Sequence, residues 1–486
     1  MTVGKPLLPA SIILFLIAAC GQEPAPVAEP GVEEPAAGPA ASDLLPHQEL
    51  ARELLKELIE INTTDSSGDN TAAAQAMADR LLAAGFAPED VQVLGPVERK
   101  GNLVARYRGR DSGRKPLLLL AHIDVVEADP ADWTLPPFTF IEEDGYYYGR
   151  GTTDDKDEAA IHIANFIRMK EEGFQPDRDI IVALTADEEG GPNNGVQWLL
   201  ENHRELIDAE YALNEGGSGD MKNGQRISNS VQASEKVYQT FILEVTNPGG
   251  HSSLPIKDNA IYHLADALAR IRNHDFPVSL NQVTQIFFER SADLANGELA
   301  DAMRSVMQSP PDPAAIAYFS DMPFYNSRLR TTCVATRLDA GHADNALPQR
   351  ARATVNCRVL PGESIDSVQN TLETVIGNDQ VSITRVADAT PSPPSPLTPE
   401  MLGTIEAITE EMWPGVPVIP TMSTGATDGL YLRNAGIPVY GVSGLFRDVD
   451  DNRSHGQNER ILIESYFDGQ EFLYQLTKSL SRSDTK

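Results

Sequence analysis

Asp179-Ile180-Ile181-Val182-Ala183-Leu184-Thr185 is an almost unbroken apolar run, and it leads directly into Ala186-Asp187-Glu188-Glu189-Gly190-Gly191. A half-exposed strand alternates apolar and polar side chains. A run that is apolar at every position is a strand covered on both faces, the usual state of a parallel sheet. The pattern recurs upstream, where Pro116 to Ala121 leads into His122-Ile123-Asp124, and downstream, where Tyr211-Ala212-Leu213-Asn214 leads into Glu215-Gly216-Gly217. Helical spacing fills the intervals: Leu54, Leu55, Leu58 and Ile59, then 72–84 closed by Gly85, 157–172 closed by Gly173, and 196–203. The fold class is therefore α/β, a mixed, mostly parallel sheet flanked by helices.

The strand–helix rhythm stops near Val237. Residues 239–246 alternate, a helix spans 259–272, and 275–330 is irregular and proline-bearing. Residues 333–338 and 350–359 read as two antiparallel strands around a loop. After the proline-rich hinge 391–396 the α/β rhythm returns, with a helix over 399–412 and a strand at 439–442. The predicted layout is a catalytic domain in two parts, 46–235 and 393–486, interrupted by an inserted α+β domain over 236–392.

Open α/β sheets place ligand sites at strand ends. Four strand-end clusters carry acids or imidazole: His122 with Asp124; Asp154-Asp155 in the loop Gly149-Arg150-Gly151-Thr152-Thr153; Glu188-Glu189; and Glu215. A distant partner is His455, in Ser454-His455-Gly456-Gln457-Asn458-Glu459. Each alone suits a solvated turn or a helix-start acid. Together His122, Asp154, Glu189, Glu215 and His455 make two imidazoles and three carboxylates, a donor set for two Zn²⁺ sharing one bridging carboxylate. Of two adjacent glutamates, one can ligate while its neighbour takes a proton. Asp124, two residues from His122, is a candidate to orient that imidazole.

These motifs, in this order, resemble the di-zinc family of aminoacylases, acetylornithine and succinyl-diaminopimelate deacylases, carnosinases, and glutamate and yeast-type carboxypeptidases. Trp133-Thr134-Leu135-Pro136-Pro137-Phe138 resembles the carboxypeptidase and aminoacylase branch, whereas Asp157-Glu158 stands where glycines are more usual. The resemblance implies a zinc-exopeptidase fold with an inserted lid and dimerisation domain. It implies two Zn²⁺, exchangeable in vitro for Co²⁺ or Mn²⁺: one held by His122 and Glu215, the other by Glu189 and His455, with Asp154 bridging. It also implies Glu188 as general base, Asp124 as the orienter of His122, and a cis Asp154–Asp155 peptide. His251, in Asn247-Pro248-Gly249-Gly250-His251, would enter the site of a partner subunit in a homodimer and support the oxyanion. Asn345, Arg358 and Gly425 match substrate-binding positions, and Arg358 suits a carboxylate through two parallel hydrogen bonds. The implied activity is hydrolysis of the amide next to a free-carboxylate amino acid by metal-activated water, in a carboxypeptidase or dipeptidase. The alternatives are an aminoacylase acting on N-acyl amino acids and, more remotely, a non-catalytic envelope binding protein.

The N-terminus is an address. After Lys5, an apolar stretch from Leu7 ends in Leu16-Ile17-Ala18-Ala19-Cys20-Gly21, which resembles the lipobox of bacterial lipoproteins, with Cys20 the lipidated residue. Residues 1–20 are thus a predicted signal peptide, and the Pro/Ala/Glu-rich 21–45 a disordered tether. The expected location is a bacterial cell envelope, lipid-anchored on the periplasmic face of the outer membrane. A net charge of -32 argues against nucleic acid as a partner and against any membrane contact beyond the lipid. Cys333 and Cys357 sit twelve residues either side of Asn345. A hairpin centred there would oppose them for a disulfide, but a one-residue slip would put them on opposite faces, so separate buried thiols are the expected state.

Overall fold

The computed structural model describes residues 44–482 except 112. Cys20, the signal peptide and all but the last two residues of the predicted tether lie outside the described residues. The central sheet has ten strands. Its middle is Ile180–Thr185, Leu117–His122, Tyr211–Asn214 and Val439–Gly441, hydrogen-bonded in that order and all parallel. Antiparallel Asn102–Tyr107 and Val91–Leu94 extend one side. On the other side Gln225–Glu235 pairs in parallel with Val418–Ser423.

The apolar runs are continuous because alternate residues feed two cores. Leu117, Leu119, Ala121, Ile180, Val182 and Leu184 join one cluster, with residues of the helices Pro46–Glu60, Lys156–Glu171 and Ile463–Leu480. Leu118, Leu120, Ile181 and Ala183 join another on the opposite face, with Val196, Leu199 and Leu432. Each fully buried Leu or Ile adds about 1.5–3 kcal/mol relative to exposure, so a one-residue slip of these strands is strongly disfavoured.

The chain leaves the central sheet at Glu235 and enters a second, antiparallel sheet at Val237. Its order is Thr332–Ala340, Arg350–Val359, Val237–Thr246, Ser382–Arg385, and its own core includes residues of helices Ala260–Arg272 and Ile365–Ile376. Two expectations fail here. The stretch 275–330 is not irregular: it holds helices Gln282–Leu294, Gly297–Val306, Pro313–Ser320 and Pro323–Leu329. Their apolar side chains form a cluster with Ile419 of the central sheet rather than with the second sheet's core. The cysteines are not separate thiols: the register pairs Cys333 with Cys357 directly, and they are bridged.

Candidate metal centre

Three of the parallel strands end at the site. His122 is the last residue of its strand, Glu215 follows Asn214 directly, and Glu188 and Glu189 lie just beyond Thr185. Asp154 comes from the loop before helix Lys156–Glu171. That loop needs glycine: at Gly151, φ is +94°, and a Cβ would come within 2.8 Å of Lys156 Cδ. Lys156 itself is buried and donates from Nζ to the carbonyls of Leu58 and Ile61, each at 2.8 Å, pinning the loop to the first helix. The peptide between Asp154 and Asp155 is cis.

The five candidate ligands form two groups that share Asp154. In His122–Asp154–Glu215 and in Asp154–Glu189–His455 one ligand atom per residue lies within 4.8 Å of the others. His122 Nε2 is 3.0 Å from Asp154 Oδ1. His455 Nε2 is 3.0 Å from Asp154 Oδ2 and 2.9 Å from Glu189 Oε1. His122 Nδ1 donates to the backbone carbonyl of Asp124 at 3.0 Å, which fixes the tautomer and leaves Nε2 free to ligate. The expectation for Asp124 therefore shifts. Its carboxylate is 3.6 Å from Nδ1 and instead accepts the backbone N–H groups of Glu188 (3.2 Å) and Glu189 (3.0 Å). Asp124 orients the imidazole with its main chain and the two glutamates with its side chain.

The electrostatics are those of a crowded acid site. Burial pushes Glu215 up to about 8, against the pull of His122. Burial, then Glu215, raises Glu188 well above the usual carboxylate range. Burial would also raise Asp154, but His122 and His455 hold it well below. Asp154 and Glu189 raise His455 to about 10. Burial alone would lower His122, and Asp124 and Asp154 reverse that. Imidazoles and carboxylates converging on two points, with cations favoured at both, are what a pair of divalent metals requires.

A cleft of about 410 Å³ opens beside this cluster, lined by Glu188, Asp428 and Tyr431 from one side and by Tyr238 and Arg358 of the second sheet from the other. Arg358 is half-buried, its guanidinium 4.7 Å from the Tyr238 ring centroid. Gly425 lies in the turn after Val418–Ser423, its N–H donating to Ser423 Oγ, next to the cleft residues Ala426 and Thr427. His251 and Asn345 lie elsewhere. Gly250–His251 pairs with Ala346–Leu347, and the Ser252 N–H donates to the Asn345 carbonyl at 3.0 Å. The His251 ring is exposed, with Ser253 as its neighbour. Among the described residues no hydrogen bond or ion pair joins it to the metal-ligand cluster.

Two acids gained no role from sequence. Glu459 is wholly buried: it pairs with Arg150 at 2.5 Å and accepts from Thr153 N (2.7 Å), Thr153 Oγ1 (2.9 Å) and Gly151 N, so it shapes the loop that presents Asp154. Asp428 accepts from Thr185 Oγ1 at 3.2 Å and Asn194 Nδ2 at 2.5 Å at the floor of the cleft. The signal for Glu459 lay in its place four residues after His455; Asp428 offered only its glycine-rich loop.

Known proteins resemble this chain in sequence and in fold. The chain is 30% identical over 392 residues to the Dictyostelium discoideum protein named "Probable carboxypeptidase S-like 2", covering 78% of this chain and 75% of that one. It is 28% identical to the human "N-fatty-acyl-amino acid synthase/hydrolase PM20D1", covering 76% and 75%. Among solved structures, the M20 metallo-carboxypeptidase Sso-CP2 of Sulfolobus solfataricus superposes with a TM-score of 0.65 at 16% identity, over 89% of this chain and 99% of that one. Residues 118–479 match the family as a whole, so the chain belongs to peptidase family M20/M25/M40 and is a metallopeptidase-type hydrolase.

Proposed function

We propose a di-zinc exopeptidase, a carboxypeptidase or dipeptidase that hydrolyses the amide beside a free-carboxylate amino acid. The observation that carries this reading is the shared cleft: Glu188, beside the ligand Glu189, and Arg358, a guanidinium without an ion-pair partner among the described residues, line the same cavity. His122, Asp154 and Glu215 would hold one ion, and Asp154, Glu189 and His455 the other. Bound zinc supplies an acidified water and a polarised carbonyl. Glu188 takes a proton from the attacking water and returns it to the leaving amine. Arg358 grips the substrate carboxylate and sets the scissile amide at a fixed distance from Glu188.

A second reading, an aminoacylase acting on N-acyl amino acids, is favoured by the human relative's name. Both substrates present the same carboxylate to Arg358. Metal analysis with a mixed panel of dipeptides and N-acyl amino acids separates the readings. A metal-loaded protein that cleaves neither overturns both.

Two further proposals concern assembly and place. His251 serves the site of a second copy in a homodimer, which its exposure supports, and Asn345 binds substrate. Cys20 carries a lipid that anchors the protein to the periplasmic face of the outer membrane. Cys20→Ala should release it from membranes, and full retention would mean another anchor.

A further inference from the structure

Glu235 ends the central-sheet strand, and Lys236 alone separates it from the first strand of the second sheet. The Glu235 carboxylate is wholly buried. Oε1 accepts from Ser392 Oγ (2.8 Å) and pairs with Arg433 (2.8 Å). Oε2 accepts from Thr427 N (3.2 Å), Thr427 Oγ1 (3.0 Å) and Gln232 Nε2 (3.2 Å). Ser392 lies where the chain returns from the second sheet; Thr427 is the residue before Asp428 in the cleft. Lys236 adds the remaining passage. Its N–H donates to the Ser423 carbonyl (3.0 Å), and its Nζ to the Arg330 carbonyl (2.7 Å) and Thr332 Oγ1 (3.2 Å), where the chain re-enters the second sheet. The link at 235–237, the re-entry at 330–332 and the return at 392 thus meet at two consecutive residues.

A buried ion pair contributes little net stability compared with apolar packing; its best-attested use is to fix geometry. What this one fixes is legible downstream. Tyr238 lies three residues past Glu235, and Arg358 sits directly opposite Tyr238 in the strand register. Both face Glu188 and Asp428 across the cleft. We propose that Glu235 is a positioning residue: it sets the second sheet against the central one, and so the span from Arg358 to Glu188 that a substrate must match. The kinetic part of the test rests on Arg358 as the carboxylate clamp, and the distance part does not.

The experiment compares wild type, Glu235→Gln and, should that variant fold poorly, Ser392→Ala, which removes the hydroxyl that donates to Glu235 and accepts from Arg433 but leaves the Glu235–Arg433 ion pair in place. Spin labels at Glu201→Cys and Asp266→Cys, both exposed and on helices of the two different sheets, report the inter-sheet distance in a Cys20→Ala background. Kinetics use a substrate with a free carboxylate and its carboxamide. Wild type should give one narrow distance and the variants a broadened or shifted one. kcat/KM on the free-carboxylate substrate should fall at least tenfold, mainly through KM, and on the carboxamide less than twofold. Glu235→Gln combined with Arg358→Ala should be no worse than Arg358→Ala alone, as expected for residues acting through one contact. An unchanged distance distribution overturns the proposal whatever the substrate. An equal loss on both substrates overturns it as well. If wild type hydrolyses neither, the functional reading fails instead, and the distances alone decide.

Discussion

Glu188 and Glu189 are adjacent and chemically identical, yet their surroundings divide the work. Glu189 meets His455 at 2.9 Å, whereas the Glu188 side chain faces the cleft with no hydrogen bond or ion pair among the described residues. Glu188→Gln should therefore keep both metals and lose about 10²–10⁴ in kcat, the usual worth of a positioned base; near-normal turnover in a metal-replete sample would remove Glu188 from the mechanism. Glu459→Gln should act the other way, weakening metal affinity about 10–100-fold because the Asp154 loop loses its internal counter-charge; competition with a chelator reads it. A third residue tests burial alone. His162 is wholly buried with both ring nitrogens unpartnered, and burial lowers its pKa from 6.5 to about 3. The unfolded chain then binds more protons than the folded one between those values, so stability is lost as pH falls from about 6.5 towards 3. His162→Leu should flatten that loss by up to about 3 kcal/mol between pH 7 and pH 4, read from urea midpoints. A parallel slope in both proteins would mean that the imidazole is hydrated. Of the five candidate ligands, His122, Glu189 and Glu215 were readable in sequence because they stand at the ends of buried strands, and Asp154 and His455 joined them through the order of the motifs. Glu459 was not, because its role depends on a loop brought to it from some three hundred residues away.

Elements were legible where one period held over a whole segment. The middle strands of the central sheet and the helices at 46–60 and 156–171 carry such patterns. The four helices between 282 and 329 do not: the last two have only 8 and 7 residues, and Pro310, Pro311, Pro313 and Pro323 interrupt the spacing around them, so the segment looks irregular until Phe287, Phe288 and Phe319 are seen packing together with Ile419. The helix Ile463–Leu480 hides behind Gly469, which reads as a breaker but permits close packing, since a Cβ there would lie 2.2 Å from Leu445 Cδ2. The disulfide turns on register, which spacing alone leaves open by one residue. A bulge between Ala335 and Arg337 falls beyond the bridge, and Cys333 stays opposite Cys357. Closing a loop with a sequence separation of 24 removes unfolded-state entropy equivalent to about 3 kcal/mol. A Cys333→Ala, Cys357→Ala double variant should lose about that much in urea unfolding of the second sheet, with little change in metal content.

At the scale of the whole molecule, the proposed homodimer bears on how the oxyanion is supported. Acyl transfer relies on a donor aimed at the developing oxyanion, worth about 10²–10³ in kcat when removed. His251, the residue expected to supply it, stands exposed on the second sheet's side of the molecule. The outer strand Thr332–Ala340 presents Val334 and Leu338 at 61% and 67% exposure beside Ile261 of the neighbouring helix, an uncovered apolar edge of the kind that pairs with another copy. In a twofold dimer each His251 would complete the other copy's site. A His251→Ala chain and a Glu188→Gln chain, each nearly inactive alone, should then restore activity on mixing. In a heterodimer one site draws a good base from one chain and a good histidine from the other, while the second site lacks both. Restored activity should rise with the fraction of heterodimer, measured by tagging one chain, and vanish on dilution below the dimer's dissociation constant. Subunit exchange without rescue would show that His251 acts in its own chain or not at all. Rescue by a His251→Ala chain mixed with a His251→Asn chain would also refute the arrangement, because no pairing of those two supplies an intact histidine.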